Sequence, residues 1–251
     1  MTGRDLLFGG LIATLFPQAL WVRKTAPRFP APSGATEGEA GQGSPAVRLL
    51  GIGDSIIAGV GAGTVEKALI GQAAESLAQT LQVPVAWKAC GKIGLTSRSI
   101  AETLLPRIPD QPFEAILVSA GVNDIISLHG IERWCRDIGI LLQALSNRWP
   151  EAAIAVAGLP PMNRFPALPQ PLRAVFGMRA RQFDSVLREE SNAFPRVAHI
   201  PLDFVADPES FSADGFHPSE NSYALFGRLA AEAVGRVIEQ QGKHNTAAGT
   251  G

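Results

Sequence analysis

The chain has 251 residues, 46% of them hydrophobic and 18% charged, with a formal net charge of −1. That length and balance suit one sizeable domain with a real core, and they exclude a disordered chain. A charge near zero offers no electrostatic footprint for nucleic acid. Two cysteines, Cys90 and Cys135, form no CxxC pair and read as idle or buried thiols.

In chain order, the first feature is an apolar run, LLFGGLIATLFPQALWV, from Leu6 to Val22. It lies at the short end of what spans a bilayer, with Pro17 and Gln18 weakening it. Arg23, Lys24 and Arg28 follow, and no small-x-small cleavage site does. Residues 1–25 therefore read as a retained membrane anchor. A cleaved signal peptide and an arm packed on the domain are the alternatives. The positive charge after the run favours that side being cytoplasmic. Residues 26–45, APRFPAPSGATEGEAGQGSP, carry too little apolar surface for a core and read as a flexible linker. The folded domain is expected over 46–240, and the small, polar tail over 241–251 is expected to be disordered.

From Val47 strands and helices alternate. VRLLGIG (47–53) is a short apolar run ending in glycine, the pattern of a buried strand. A helix is predicted over 66–81, a strand over 83–90, and a helix over 96–107 starting at a Thr/Ser cluster. A strand over 113–121, a helix over 131–149 closed by Pro150, and a strand over 152–160 come next. A helix over 172–190, a strand over 197–203 and a last helix over 220–239 complete the series. Five continuous apolar strands alternating with helices imply a parallel sheet covered on both faces. Ligands of such sheets bind beyond the carboxyl ends of the strands, so the residues there carry the functional reading.

The first of these segments, GIGDSIIAGVGAG (51–63), is glycine-rich and could cradle a phosphate. It fails that test. Ile56 stands where a dinucleotide fingerprint needs its third glycine, no Gly-Lys-Ser/Thr closes the loop, and no acidic residue ends the next strand. The alternative is that Ser55 is a nucleophile presented where a helix begins, with its own N–H aimed at a developing oxyanion. Taken singly, Ser55 or Asp54 is as well explained as a helix cap. Three other loops bear on the choice. Gly94 follows the second strand, where a bare backbone N–H can approach a ligand. Asn123 follows the third with an amide donor. Asp214 and His217 stand three apart before the last helix, a spacing that lets a carboxylate orient an imidazole base. The four histidines are too dispersed for a zinc-type cluster, so no metal site is expected.

These motifs together, GDS at 53–55, the glycine of KIGLT at Gly94, GVND at 121–124 and DGFH at 214–217, resemble those of the SGNH hydrolases, also called GDSL esterases and lipases. The resemblance spans about residues 46–240. It implies a flavodoxin-like three-layer α/β/α sandwich with a five-stranded parallel sheet. It also implies a serine hydrolase of carboxylic esters, acting through an acyl-enzyme without a cofactor on a small-molecule ester. Ser55 would be the nucleophile, His217 the base and Asp214 its orienting partner. Ser55 N–H, Gly94 N–H and the Asn123 side chain would hold the oxyanion, and Asp54 would be structural. The Pro-rich loop 158–173, with Met162, Phe165 and Leu168, could wall an acyl site or be a surface loop. The expected substrate is an ester of a short to medium acyl group. A thioesterase, a carbohydrate O-deacetylase, an acyltransferase and a non-catalytic flavodoxin-like binding module are the alternatives.

Overall fold

The computed structural model describes residues 3–25, 29–203 and 207–248. Six strands build one sheet: β1 (Glu37–Ala40), β2 (Val47–Gly53), β3 (Val85–Gly91), β4 (Ala115–Ser119), β5 (Ala153–Ala157) and β6 (Val197–Ile200), in the order β1-β3-β2-β4-β5-β6. The helices are α1 (Gly3–Thr14), α2 (Phe16–Thr25), α3 (Leu69–Leu81), α4 (Ser97–Ser99), α5 (Val122–Ile126), α6 (Ile131–Arg148), α7 (Leu172–Asn192) and α8 (Glu220–Ala248). α3 and α8 pack together on one face; α4, α6 and α7 cover the other, and α1 lies on α7. This is an α/β/α sandwich. β4 and β5 are buried at every residue, which explains why they read as unbroken apolar runs.

The five strands from β2 to β6 pair in parallel, in the order second, first, third, fourth, fifth. The order reverses between β2 and β4. At such a reversal the connections leave to opposite faces and open a crevice beyond the strand ends. The register brings three strands level there: Gly53 lies beside Gly91 on β3 and beside Ser119 on β4. The segments leaving β2, β3 and β4 therefore emerge at one edge.

Several expectations need correction. The sheet has a sixth strand, β1, antiparallel to β3, inside the stretch read as linker. It is short, and Glu37 pairs with Lys88 at 2.6 Å while the Trp87 indole covers Gly38. A charged, glycine-containing edge strand of four residues has no apolar alternation to announce it. The remainder of the linker includes residues 26–28, which lie outside the described residues. The helix expected over 96–107 is regular only at α4. It continues as a π turn, Ile100–Leu104, and a 3-10 turn, Leu105–Arg107, because Pro106 has no N–H to return to the Glu102 carbonyl. Residues 55–61 are turns rather than the start of a helix; Gly59 and Gly61 have φ of +83° and +99°, which no regular right-handed helix accepts. The last helix continues through Ala248 into the expected tail, of which only 249–251 lie outside the described residues. Cys90 and Cys135 are free thiols, half-buried rather than buried.

The N-terminal run forms α1 and α2, bent by 70° to one another. Pro17, in the first turn of α2, has no N–H to bond back to Ala13, so the run cannot continue as one straight helix. No single helix among the described residues is long and apolar enough to cross a membrane. Phe8 and Ile12 are buried against the domain. Asp5, itself almost buried, pairs with the buried Arg179 of α7 at 2.8 Å and accepts the Ile131 N–H that opens α6. Arg179 also lies 4.0 Å over the Phe8 ring. On α2, Gln18 donates to the Gln170 carbonyl and accepts from the Leu172 N–H. The anchor reading is not supported: the two helices pass as a span only as a bent pair, by length and composition alone, and in the structure the segment packs on the domain.

Candidate active site

Ser55 is the second residue after β2, in the turn that leaves the sheet at the reversal point. The turn is shaped by Asp54, whose Oδ1 accepts the Ile56 N–H at 3.1 Å and the Ser119 hydroxyl at 3.0 Å. Burial pushes the Asp54 carboxyl up to about 6 despite those two bonds. Asp54 thus ties β2 to β4 and fixes the loop that carries Ser55. The Ser55 side chain points to His217, with Oγ 2.9 Å from Nε2.

His217 is presented by a tight loop before α8. Ser212 N–H donates to the His217 carbonyl and Ser219 N–H to the Ser210 carbonyl, closing the loop into a narrow hairpin. Asp214 organises its tip. Its Oδ1 accepts the N–H groups of Phe216 and His217 and the Ser212 hydroxyl at 2.8–2.9 Å, while Oδ2 lies 2.6 Å from His217 Nδ1. Burial alone would raise the Asp214 carboxyl, but the imidazole and the two N–H groups outweigh it and hold it at about 2. A carboxylate accepts only, so Nδ1 carries the proton and Nε2 is left to accept from the Ser55 hydroxyl. The spacing of three has a local cause: an aspartate at the head of a turn bonds N–H groups two and three residues on.

Gly94 sits in the turn after β3 at φ +83°, and no atom stands within 4 Å of where a Cβ would be. Open space lies on that side, so the requirement for glycine is conformational. Gly91, by contrast, ends β3 with the Ala58 backbone against it. Asn123 stands in the first turn of α5, and its Nδ2 donates to the Leu95 carbonyl at 3.0 Å. That bond ties the segment after β4 to the segment after β3 and leaves the second N–H of the amide for another acceptor.

Ser55, Asp214, His217, Gly94 and Asn123 are thus all gathered at the sheet's carboxyl edge. Sequence reasoning missed the group that holds two of these segments together. Asp124, fully buried, accepts the Ser97 N–H at 2.9 Å and hydroxyl at 2.8 Å, and lies 3.1 Å from His129 Nδ1. A buried carboxylate is costly unless it is so bonded. The adjacency of Asp124 to Asn123 was the available signal.

Two spaces open beside these residues. A small cavity of about 60 Å³ is lined by Ser55, Asn123, Ala120, Phe165, Phe216 and His217 among others. A groove of about 960 Å³ is lined by Gly94, Asn123, Asp214 and His217 among others. The loop 158–173 serves both: Phe165, packed edge-on against Phe211 and Phe216, walls the cavity, and Leu168 walls the groove.

Comparison with known proteins gives the family and the fold. The model of the GDSL-like lipase/acylhydrolase family matches residues 52–225. A GDSL-like esterase of Mycobacterium tuberculosis is 28% identical over 205 residues, which cover 78% of this chain and 64% of that protein. The chain therefore spans just under two thirds of the length of that relative. Among solved structures, a lipase from a goat rumen metagenome shares the fold with a TM-score of 0.64 at 20% identity, covering 76% of this chain and 99% of that one. An esterase of Pseudoalteromonas shares it with a TM-score of 0.58 at 16% identity, covering 76% and 98%. With more than half of the sequence matched by the family model, the chain belongs to the GDSL-like lipase/acylhydrolase family.

Proposed function

We propose that the protein hydrolyses carboxylic esters of short to medium acids through an acyl-enzyme on Ser55. The observation that carries this reading is the unbroken hydrogen-bond chain from Ser55 Oγ through His217 to Asp214. The name of the mycobacterial relative supports the ester class. Ser55 Oγ attacks the ester carbonyl carbon as its proton passes to His217 Nε2. The negative oxygen of the tetrahedral intermediate faces the N–H groups of Ser55 and Gly94 and the free N–H of the Asn123 amide. Asp214, ionised at any pH well above 2, stabilises the imidazolium. The bond to the alcohol oxygen then breaks, and that oxygen takes the proton from Nε2. Water repeats the sequence: it gives its proton to Nε2, attacks the acyl carbon, and releases the acid as Ser55 regains its hydrogen.

The test is covalent labelling by a fluorophosphonate, alongside hydrolysis of p-nitrophenyl acetate. The wild-type chain should take one phosphonyl group on Ser55 and turn over the ester. Ser55→Ala should do neither while melting within a few degrees of wild type. Labelling or turnover that survives Ser55→Ala overturns the assignment.

A further inference from the structure

The N-terminal arm lies outside residues 52–225, yet it borders the reaction centre. Ile12, Phe16 and Leu20 of the arm line the outer groove together with Ile126 of α5, Leu168 of the 158–173 loop and Phe176 of α7. Gly94, Asn123 and His217 line the same groove. Phe16 is 54% exposed, Leu20 38% and Ile126 45%. The first two are held facing open space by a firmly bonded arm and the third by α5, a cost that a bound apolar chain would remove.

The two spaces touch the reacting atoms differently. Ser55 lines the small cavity but not the groove, whereas His217 lines both, and Asp214 lines only the groove. In the tetrahedral intermediate the acyl carbon is bonded to Ser55 Oγ, and the leaving oxygen faces His217 Nε2. A chain that enters from the histidine side is therefore attached through the alcohol oxygen. We infer that the groove holds an extended apolar alcohol and the cavity a short acyl group. The preferred substrates are then short-acid esters of long or bulky apolar alcohols, and the arm is a specificity element. This inference rests on the ester-hydrolase reading above and names its substrate class.

Two isomeric esters isolate the effect, because decyl acetate and ethyl decanoate have the same atoms and differ only in which side carries the chain. The full-length protein is assayed on both below their aggregation limits, with ethyl acetate as the reference. Decyl acetate should exceed ethyl decanoate in kcat/KM by about tenfold or more, since each methylene that leaves water contributes severalfold. The double variant Phe16→Ser, Leu20→Ser should lose about tenfold on decyl acetate and stay within twofold on ethyl acetate. Ile126→Ser, on α5 in the same groove, should shift the same ratio in the same direction. Preference for ethyl decanoate would assign the groove to the acyl chain and overturn the inference. So would equal losses on decyl and ethyl acetate. Absence of any Ser55-dependent turnover of ethyl acetate would instead overturn the ester-hydrolase reading and this inference with it.

Discussion

Asp214 does two jobs at once: one oxygen shapes the loop and the other bonds the imidazole. His217→Ala removes the group placed to move the proton, and kcat should fall by at least 10³-fold. Asp214→Asn keeps an acceptor for the two loop N–H groups but turns an amide donor toward Nδ1, which favours the tautomer with the proton on Nε2, so kcat should fall by a comparable factor. Steady-state kinetics on the pair checks both, and full activity in His217→Ala would show the base misassigned. Asn123 separates two roles in another way. If its spare N–H serves the oxyanion, Asn123→Ala should lower kcat by about 10²–10³ with little change in KM. The bond to the Leu95 carbonyl adds a structural share, so stability should also drop, by about 1 kcal/mol. A fall in stability with kcat unchanged would leave Asn123 a tie between loops and nothing more.

At the scale of elements, the arm of α1 and α2 is the instructive case. Arg179 is 1% exposed and depends on Asp5 for its charge partner. Asp5→Ala would strand a buried guanidinium at a cost of about 3–5 kcal/mol, and Asp5→Ala with Arg179→Met should recover much of it. Denaturant unfolding of the full chain measures both. An arm that merely tethered the domain to something else would give no change in either variant. The apolar run itself was plain in the sequence, but hydropathy is the same whether lipid or protein covers it. Pro17 signalled the break; only the partner on α7, more than 150 residues away, shows where the run goes. The five parallel strands were legible because burial on both faces leaves unbroken apolar runs. β1 was not, because an edge strand of four residues with two glutamates has no such signature.

For the whole molecule, two aspartates with opposite shifts contribute to the pH dependence of stability. Asp54 titrates near 6 in the folded state, above an unfolded value near 3.9, so the native state binds its proton more tightly. Its contribution is fully present below about 4 and is lost as pH rises through 6. Asp214 titrates near 2, so its contribution is present above about 4 and is lost as pH falls through 2. Of the two, Asp54 is the one that takes up its proton between pH 6 and 4, and the wild type should gain up to about 3 kcal/mol from it. Asp54→Asn keeps the acceptor oxygen and removes the titration. Unfolding free energies at pH 4.5 and 7.5 should therefore differ less in the variant than in the wild type; equal differences would show that Asp54 is ionised at no cost.

What the sequence determined by itself is whatever neighbouring residues decide. The strand runs, the turn-forming GDS and DGFH segments and the caps are local matters of burial pattern and short-range hydrogen bonding. From these came the parallel sheet, and with it the rule that its ligand edge lies beyond the strand ends, which singled out Ser55, Gly94, Asn123, Asp214 and His217. Tertiary structure decided what depends on distant partners. It brought Ser55 within 2.9 Å of a histidine 162 residues away. It put Asp124 under Ser97 so that two loops hold one register, and it laid the N-terminal run along the groove. Such pairings follow from strand order and helix packing, which set through-space distances that no spacing along the chain encodes.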